Sequence, residues 1–143
     1  MAARLQKRIL VVTDNHILRN LIENHLRRDK FKASAARTGE HAVELMQRIP
    51  EVTNIGKAVT KHRKPLPAFD LIIVDVNITE VSAALVLDWI HQEDRYIGIP
   101  VILIVNSEQE LLIPDGHGKR RLACVAQPFD IKHFVQMVED AVA

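Results

Sequence analysis

The chain has 143 residues, 48% hydrophobic and 26% charged, which is enough for one domain with a buried core and too few for two. No apolar stretch approaches the roughly 20 residues that cross a bilayer; the opening Met1-Ala2-Ala3-Arg4-Leu5-Gln6 lacks a secretory apolar segment; and a single cysteine excludes an internal disulfide or a multi-cysteine metal site, so a cytoplasmic protein is expected. The net charge of +1 hides a polarity, with 14 Lys/Arg against 6 Asp/Glu in residues 1–68 and 5 against 12 in residues 69–143, which can steer a charged partner but also describes an ordinary solvated surface.

In chain order, Ile9 to Val12 is a continuous apolar run without alternation, the pattern of a strand buried on both faces of a parallel sheet, and Asp14 follows it. Ile17, Leu18, Leu21, Ile22 and Leu26 fall on one helical face, with either Asp14 or Asn15 able to cap the start. Phe31 to Ala36 alternates loosely, as an edge strand does. Ala42, Val43, Leu45 and Met46 predict a second helix, begun near Thr38 and stopped before Pro50. Pro50 to Ala68 then interrupts the rhythm as a long insertion, with Gly56, Pro65, Pro67 and the basic cluster Lys57, Lys61, His62, Arg63, Lys64. Connections of this length are functional or disordered.

Leu71 to Val74 repeats the buried-strand pattern and ends in Asp75. Val81, Leu85, Val86, Trp89 and Ile90 predict a third helix, and Val101 to Val105 another buried strand. From Asn106 to Arg121 a helix can start at Ser107 but meets Pro114-Asp115-Gly116-His117-Gly118, so a disrupted fourth helix is expected. Leu122 to Ala126 is a shorter, weaker strand; its Cys124 reads as a small core residue. Ile131, Phe134, Val135, Val138 and Val142 form a final helix with Asp130 as its cap.

Strand and helix alternate throughout, which requires crossover connections and helices on both faces of the sheet: a single doubly wound α/β domain of five strands. In such a sheet the carboxyl ends of the strands open onto one crevice. Asp14 and Asp75 therefore converge, and paired acids there can share a cation or a phosphoryl group. Taken alone, each also reads as a helix cap or an acceptor for loop amides. The histidines at 25, 41, 62, 91, 117 and 133 show no ligand spacing with acids or cysteine and are expected on the surface. No glycine-rich nucleotide fingerprint or phosphate loop is present. The basic clusters, including Lys119-Arg120-Arg121, lack interleaved aromatics, which argues against nucleic acid.

Four segments in order, Ile9-Leu10-Val11-Val12-Thr13-Asp14-Asn15, Phe69-Asp70-Leu71-Ile72-Ile73-Val74-Asp75-Val76-Asn77, Ile99-Pro100-Val101-Ile102-Leu103-Ile104 and Gln127-Pro128-Phe129-Asp130, resemble the signature segments of response-regulator receiver domains of two-component signalling. The likeness covers about residues 7 to 142 apart from the insertion. It implies a flavodoxin-like parallel sheet in the order 2-1-3-4-5. It also implies that Asp75 is the position phosphorylated by a histidine kinase, that Asp14, Asp75 and the backbone carbonyl of Asn77 form a weak Mg²⁺ site, and that the Gln127-Pro128 peptide is cis. The partner implied is a histidine kinase or another signalling protein, with a homodimer as a further association and neither nucleic acid nor membrane.

Against the family pattern, several functional positions are altered. Thr13 stands where an acid is usual, Val105 where a threonine or serine is usual with Asn106 and Ser107 next in line, Cys124 where an aromatic is common, and Gln127 where a lysine contacts the phosphoryl group. Removing such a charge lowers a phosphoryl-transfer rate by roughly 10² to 10³. The resemblance thus implies a degenerate receiver that acts by protein interaction with phosphoryl acceptance impaired or lost. A functional atypical receiver is the alternative. A third reading, a small enzyme or cofactor binder, rests on Asp14-Asn15-His16, which is similar to the cobalamin-binding element. Arg19 stands in place of its glycine.

Overall fold

The computed structural model describes residues 6–48, 66–77, 80–106 and 122–143. The first strand, β1 (Arg8–Val12), leads into α1 (His16–Arg28), and β2 (Lys32–Ala36) into α2 (Gly39–Met46). Then come β3 (Leu71–Asp75), α3 (Glu80–Gln92), a short 3₁₀ turn (Asp94–Tyr96), β4 (Val101–Asn106), β5 (Leu122–Gln127) and α4 (Ile131–Val142). The five strands form one parallel sheet in the order β2-β1-β3-β4-β5, as the resemblance to receiver domains implies.

The absence of alternation in the strands follows from burial on both sides. Leu10, Val12, Ile72, Val74, Val101, Leu103 and Val105 pack into a core with α2 and α3. Ile9, Val11, Leu71, Ile73, Ile102, Ile104 and Val125 pack with α1 and α4 on the other face. Side chains pointing in either direction along these strands therefore meet apolar neighbours.

Helix boundaries follow side-chain chemistry. Asn15, rather than Asp14, caps α1: its side-chain oxygen accepts from the Ile17 and Leu18 amides at 3.0 and 3.1 Å. Thr38 caps α2 and Asp130 caps α4 in the same way. At the other end of α1, Lys30 adopts φ 69° while the Phe31 amide reaches back to the Leu26 carbonyl at 3.0 Å, a left-handed stop. One expectation needs correction here. Leu18, Ile22 and Leu26 are buried, but Ile17 is 82% and Leu21 40% exposed, so the apolar stripe is wider than the face that packs.

The two described ends of the chain around the insertion are tied together by the 3₁₀ turn. The Arg95 guanidinium donates to the carbonyls of Arg48 at 3.1 Å and Leu66 at 3.3 Å, and also to that of Met46. The buried Tyr96 hydroxyl donates to the Met46 carbonyl at 2.8 Å and accepts from the Ala68 amide at 2.9 Å. This tie lies where α2 ends and β3 begins, at the amino edge of the sheet. Asp75 is at the opposite, carboxyl edge. Most of the insertion, the stretch expected to be a disrupted helix, both basic clusters, His62, His117 and Ser107 lie outside the described residues.

Candidate functional site

The parallel register brings the predicted site residues to one edge. β1 and β3 pair from Ile9 with Leu71 to Val12 with Val74, so the next residues, Thr13 and Asp75, meet across the strand ends. Thr13 remains anchored to the neighbouring strand through its amide, which donates to the Ala36 carbonyl at 3.0 Å. The Val76 amide likewise donates to the Ile104 carbonyl at 3.0 Å.

Thr13 and Asp75 are 1% and 3% exposed, the two buried polar or charged side chains among the described residues. The Thr13 hydroxyl donates to Asp75 Oδ2 at 2.7 Å, and the Asn77 amide donates to Asp75 Oδ1 at 2.9 Å. Thr13 Oγ1 in turn accepts from the Asn15 amide at 3.2 Å. Both carboxylate oxygens thus have protein donors, which is how a buried carboxylate avoids the cost of lost hydration. Sequence reasoning marks Thr13 as a neutral substitution but does not find this bond. It requires knowing that two strand ends distant in sequence fall in register.

The remaining candidates are placed as follows. Asp14 is exposed and has no hydrogen bond or ion pair to a described residue. Asn77 Nδ2 is buried without a hydrogen-bond partner among the described residues. Val105 is 7% exposed and belongs to the core on the α2 and α3 side. The β4–β5 register runs without a bulge from Val101 with Leu122 to Asn106 with Gln127, so Val105 stands opposite Ala126 and Asn106 opposite Gln127. Gln127 is half-buried and makes no hydrogen bond to Asp75; the Gln127-Pro128 peptide is cis.

Cys124 corrects another expectation: it is exposed, not part of the core. The cause is its position on the edge strand β5. Val125 is buried against the α1 and α4 layer, and Cys124 faces the other way. Desolvation by its neighbours still pushes its thiol above the ordinary value, which disfavours the reactive thiolate. Of the described histidines, 41, 91 and 133 are exposed as expected, while His25 is half-buried with Nδ1 2.9 Å from the Leu21 carbonyl.

A divalent cation at the crevice would need hard oxygen acceptors in near-octahedral array. Asp75 supplies a carboxylate whose two oxygens each accept one hydrogen bond and keep a second lone pair, and the backbone carbonyl of Asn77 would be the neutral oxygen beside it, while the Thr13 hydroxyl donates to Asp75 and adds no charge. Only Asp14 offers a free carboxylate, and no three His, Cys, Asp or Glu side chains stand together among the described residues.

The fold and crevice define a class: a doubly wound, flavodoxin-like α/β domain with a buried aspartate at the end of its central strand. Comparison makes it specific. The family model of the response regulator receiver domain matches residues 9–139, and the chain belongs to that family. It is a receiver domain of two-component signalling. It is similar to the polar-differentiation response regulator DivK of Brucella anthropi, with 22% identity over 139 residues, 94% of this chain and 95% of the relative. Among solved structures, the chemotaxis response regulator CheY4 of Vibrio cholerae superposes with TM-score 0.67 at 16% identity, over 96% of this chain and 99% of that one. The non-phosphorylated HemR receiver domain of Leptospira biflexa gives TM-score 0.70 at 20% identity, over 96% and 95%. Receiver domains are generally non-enzymatic signalling proteins, usually soluble; they interact with histidine kinases and other signalling proteins and typically bind Mg²⁺ at the phosphorylation site. Among the described residues, no helix is long and apolar enough to cross a membrane.

Proposed function

We propose that this receiver domain is degenerate and works as a protein-interaction module in cytoplasmic signalling, without enzymatic activity and with phosphoryl acceptance at Asp75 impaired. The observation that carries this reading is the state of the Asp75 carboxylate, buried with both oxygens bound by Thr13 and Asn77. A carboxylate attacks phosphorus through an oxygen lone pair, which donors such as these make less nucleophilic, and it needs cationic groups to offset the two anions as they meet. Here the lysine position is Gln127, which carries no charge, and the hydroxyl nearest the carboxylate is spent on it.

An interaction role is supported by α1, which starts just after Asp14 at the crevice edge and leaves Ile17 and Leu21 exposed. The partner is a histidine kinase or another signalling protein, with a second copy of the chain as a further association, and not nucleic acid or a membrane. Treatment with Mg²⁺ and either acetyl phosphate or beryllofluoride tests the proposal. The expected result is little modification and amide shifts confined to the crevice. Stoichiometric modification of Asp75, with shift changes spreading through residues 107–126, would defeat it in favour of a functional atypical receiver.

A further inference from the structure

The tie at the amino edge of the sheet is built around a buried cation. The Arg95 side chain is 7% exposed, and its ion pair with Glu93 is long, at 3.9 Å. Main chain satisfies the guanidinium instead: the carbonyls of Met46 and Arg48 at the end of α2, and that of Leu66 on the far side of the insertion. Carbonyls at a helix C-terminus lack partners within the helix and carry the negative end of its dipole, so a cation is favoured there. Arg95 Nη1 alone holds the Arg48 and Leu66 carbonyls, at 3.1 and 3.3 Å, so the chain leaves the domain and re-enters it at nearly one point. The Tyr96 ring, 5.3 Å from the guanidinium carbon, repeats the bridge through its hydroxyl, which joins the Met46 carbonyl to the Ala68 amide. At this root Leu66 and Ile97 stay 63% and 46% exposed, while the core on this side of the sheet is filled by side chains of α2, α3, the strands and Tyr96.

We propose that Arg95 and Tyr96 form a clasp that closes the insertion at its root, so that the domain core and the Asp75 crevice at the opposite edge of the sheet hold their structure without residues 49–65. Tolerance of an insertion is decided by the burial and hydrogen bonding of the backbone at its ends, and here both ends are fixed by one turn that belongs to neither. The entropic cost of a closed loop grows only with the logarithm of its length, so once the root is fixed the length and content of the loop are nearly free to vary. A guanidinium suits this task because its donors lie in a rigid plane and bring several carbonyls to one place. The clasp stands on these bonds alone and is independent of whether Asp75 accepts a phosphoryl group.

The test replaces residues 49–65 by Gly-Ser-Gly, a linker that spans about 10 Å, and combines this change with Arg95→Gln. Four proteins are compared by urea unfolding and by the NMR amide signals of Thr13, Asp75 and Asn77: the full chain, the linker variant, and each of them with Arg95→Gln. The linker variant is expected to fold, with these three signals at their positions in the full chain. Arg95→Gln is expected to lower the urea midpoint of the full chain and to lower that of the linker variant by less than half as much, because a short covalent link holds the root where the guanidinium no longer does. A loss equal in both backgrounds, or none in either, overturns the clasp and leaves Arg95 as a cap on α2. Should the three-residue linker fail to fold, a nine-residue Gly/Ser linker takes its place. Failure of both linkers, or displaced crevice signals in a folded variant, shows that the core needs residues 49–65 and overturns the proposal.

Discussion

The Tyr96 hydroxyl donates to the Met46 carbonyl across 50 positions of sequence, at 2.8 Å, while accepting the Ala68 amide at 2.9 Å. One phenol therefore joins the end of α2 to the approach to β3, with Arg95 holding the Arg48 and Leu66 carbonyls beside it. Tyr96→Phe keeps the ring and its edge-on contact with Trp89, 5.4 Å between centroids, and deletes only the hydroxyl. The orphaned groups should cost about 1–3 kcal/mol. Urea unfolding followed by the fluorescence of Trp89, the single tryptophan, measures this. Burial raises the Tyr96 pKa, so the folded state keeps the phenolic proton longer than the unfolded state does. Stability should accordingly fall as pH rises above the ordinary tyrosine value of 10.0, by a component that Tyr96→Phe lacks.

Asp29 and Glu139 connect the end of α1 to α4 as a pair of carboxyls. Hydrogen bonding with Asp29 holds the Glu139 carboxyl above its usual range, helped by desolvation and by the charges of Asp29 and Asp140. An acid whose pKa is raised by folding binds more protons in the folded state, so it favours folding at low pH and loses that contribution as pH rises from the ordinary value of 4.5 through the folded one. Glu139→Gln mimics the protonated form at every pH. The variant should have a higher urea midpoint than the wild type at neutral pH, and the difference should shrink as the pH falls toward and below 4.5. A constant difference across that range would remove the pair as its cause.

Much of the fold was legible because burial on both faces leaves a simple trace: β1, β3 and β4 are unbroken apolar runs, and the strand order followed from the family likeness. Errors fell where the same pattern meets a surface. At about 100° per residue, Ile17 and Leu21 lie about 100° and 60° to one side of Leu18, while Ile22 and Leu26 lie on the other side. Five apolar residues made a plausible stripe, yet the sheet covers only its Leu18–Ile22–Leu26 part. Cys124 departs from the core position its apolar run suggests for a related reason, since such a run does not reveal that its strand is at an edge. The Thr13–Asp75 bond and the Arg95–Tyr96 tie left no periodic trace at all. Each depends on single polar residues brought together by register or by a turn.

The strength of the Thr13–Asp75 bond can be separated from the cost of burying a charge. Asp75→Asn changes both, so its effect alone is uninformative, but the double-mutant cycle with Thr13→Val isolates their coupling. An amide offers one acceptor oxygen for the two donors now shared by the carboxylate. Thr13→Val should therefore cost less in the Asp75→Asn background than in the wild type, with a coupling of about 1–2 kcal/mol. Additive effects in denaturant unfolding would show that the bond contributes nothing net.

Ile17 allows docking and stability to be told apart. It is 82% exposed in the first turn of α1, a turn that holds no acidic residue. Ile17→Glu removes no buried contact and places a negative charge at the positive end of the helix, so stability should stay level or rise by about 0.3–1 kcal/mol. If α1 is the docking face, the same change should abolish pairing with histidine kinases of the same genome in a two-hybrid assay. Leu85→Glu, at a 37% exposed position on α3, is the control and should leave pairing intact. The reverse pattern would move the interaction surface to the α2 and α3 side of the sheet. Loss of pairing in both variants, with unchanged melting, would mean that a partner contacts both faces. Carrying both substitutions through the same thermal melt keeps misfolding from being read as lost recognition.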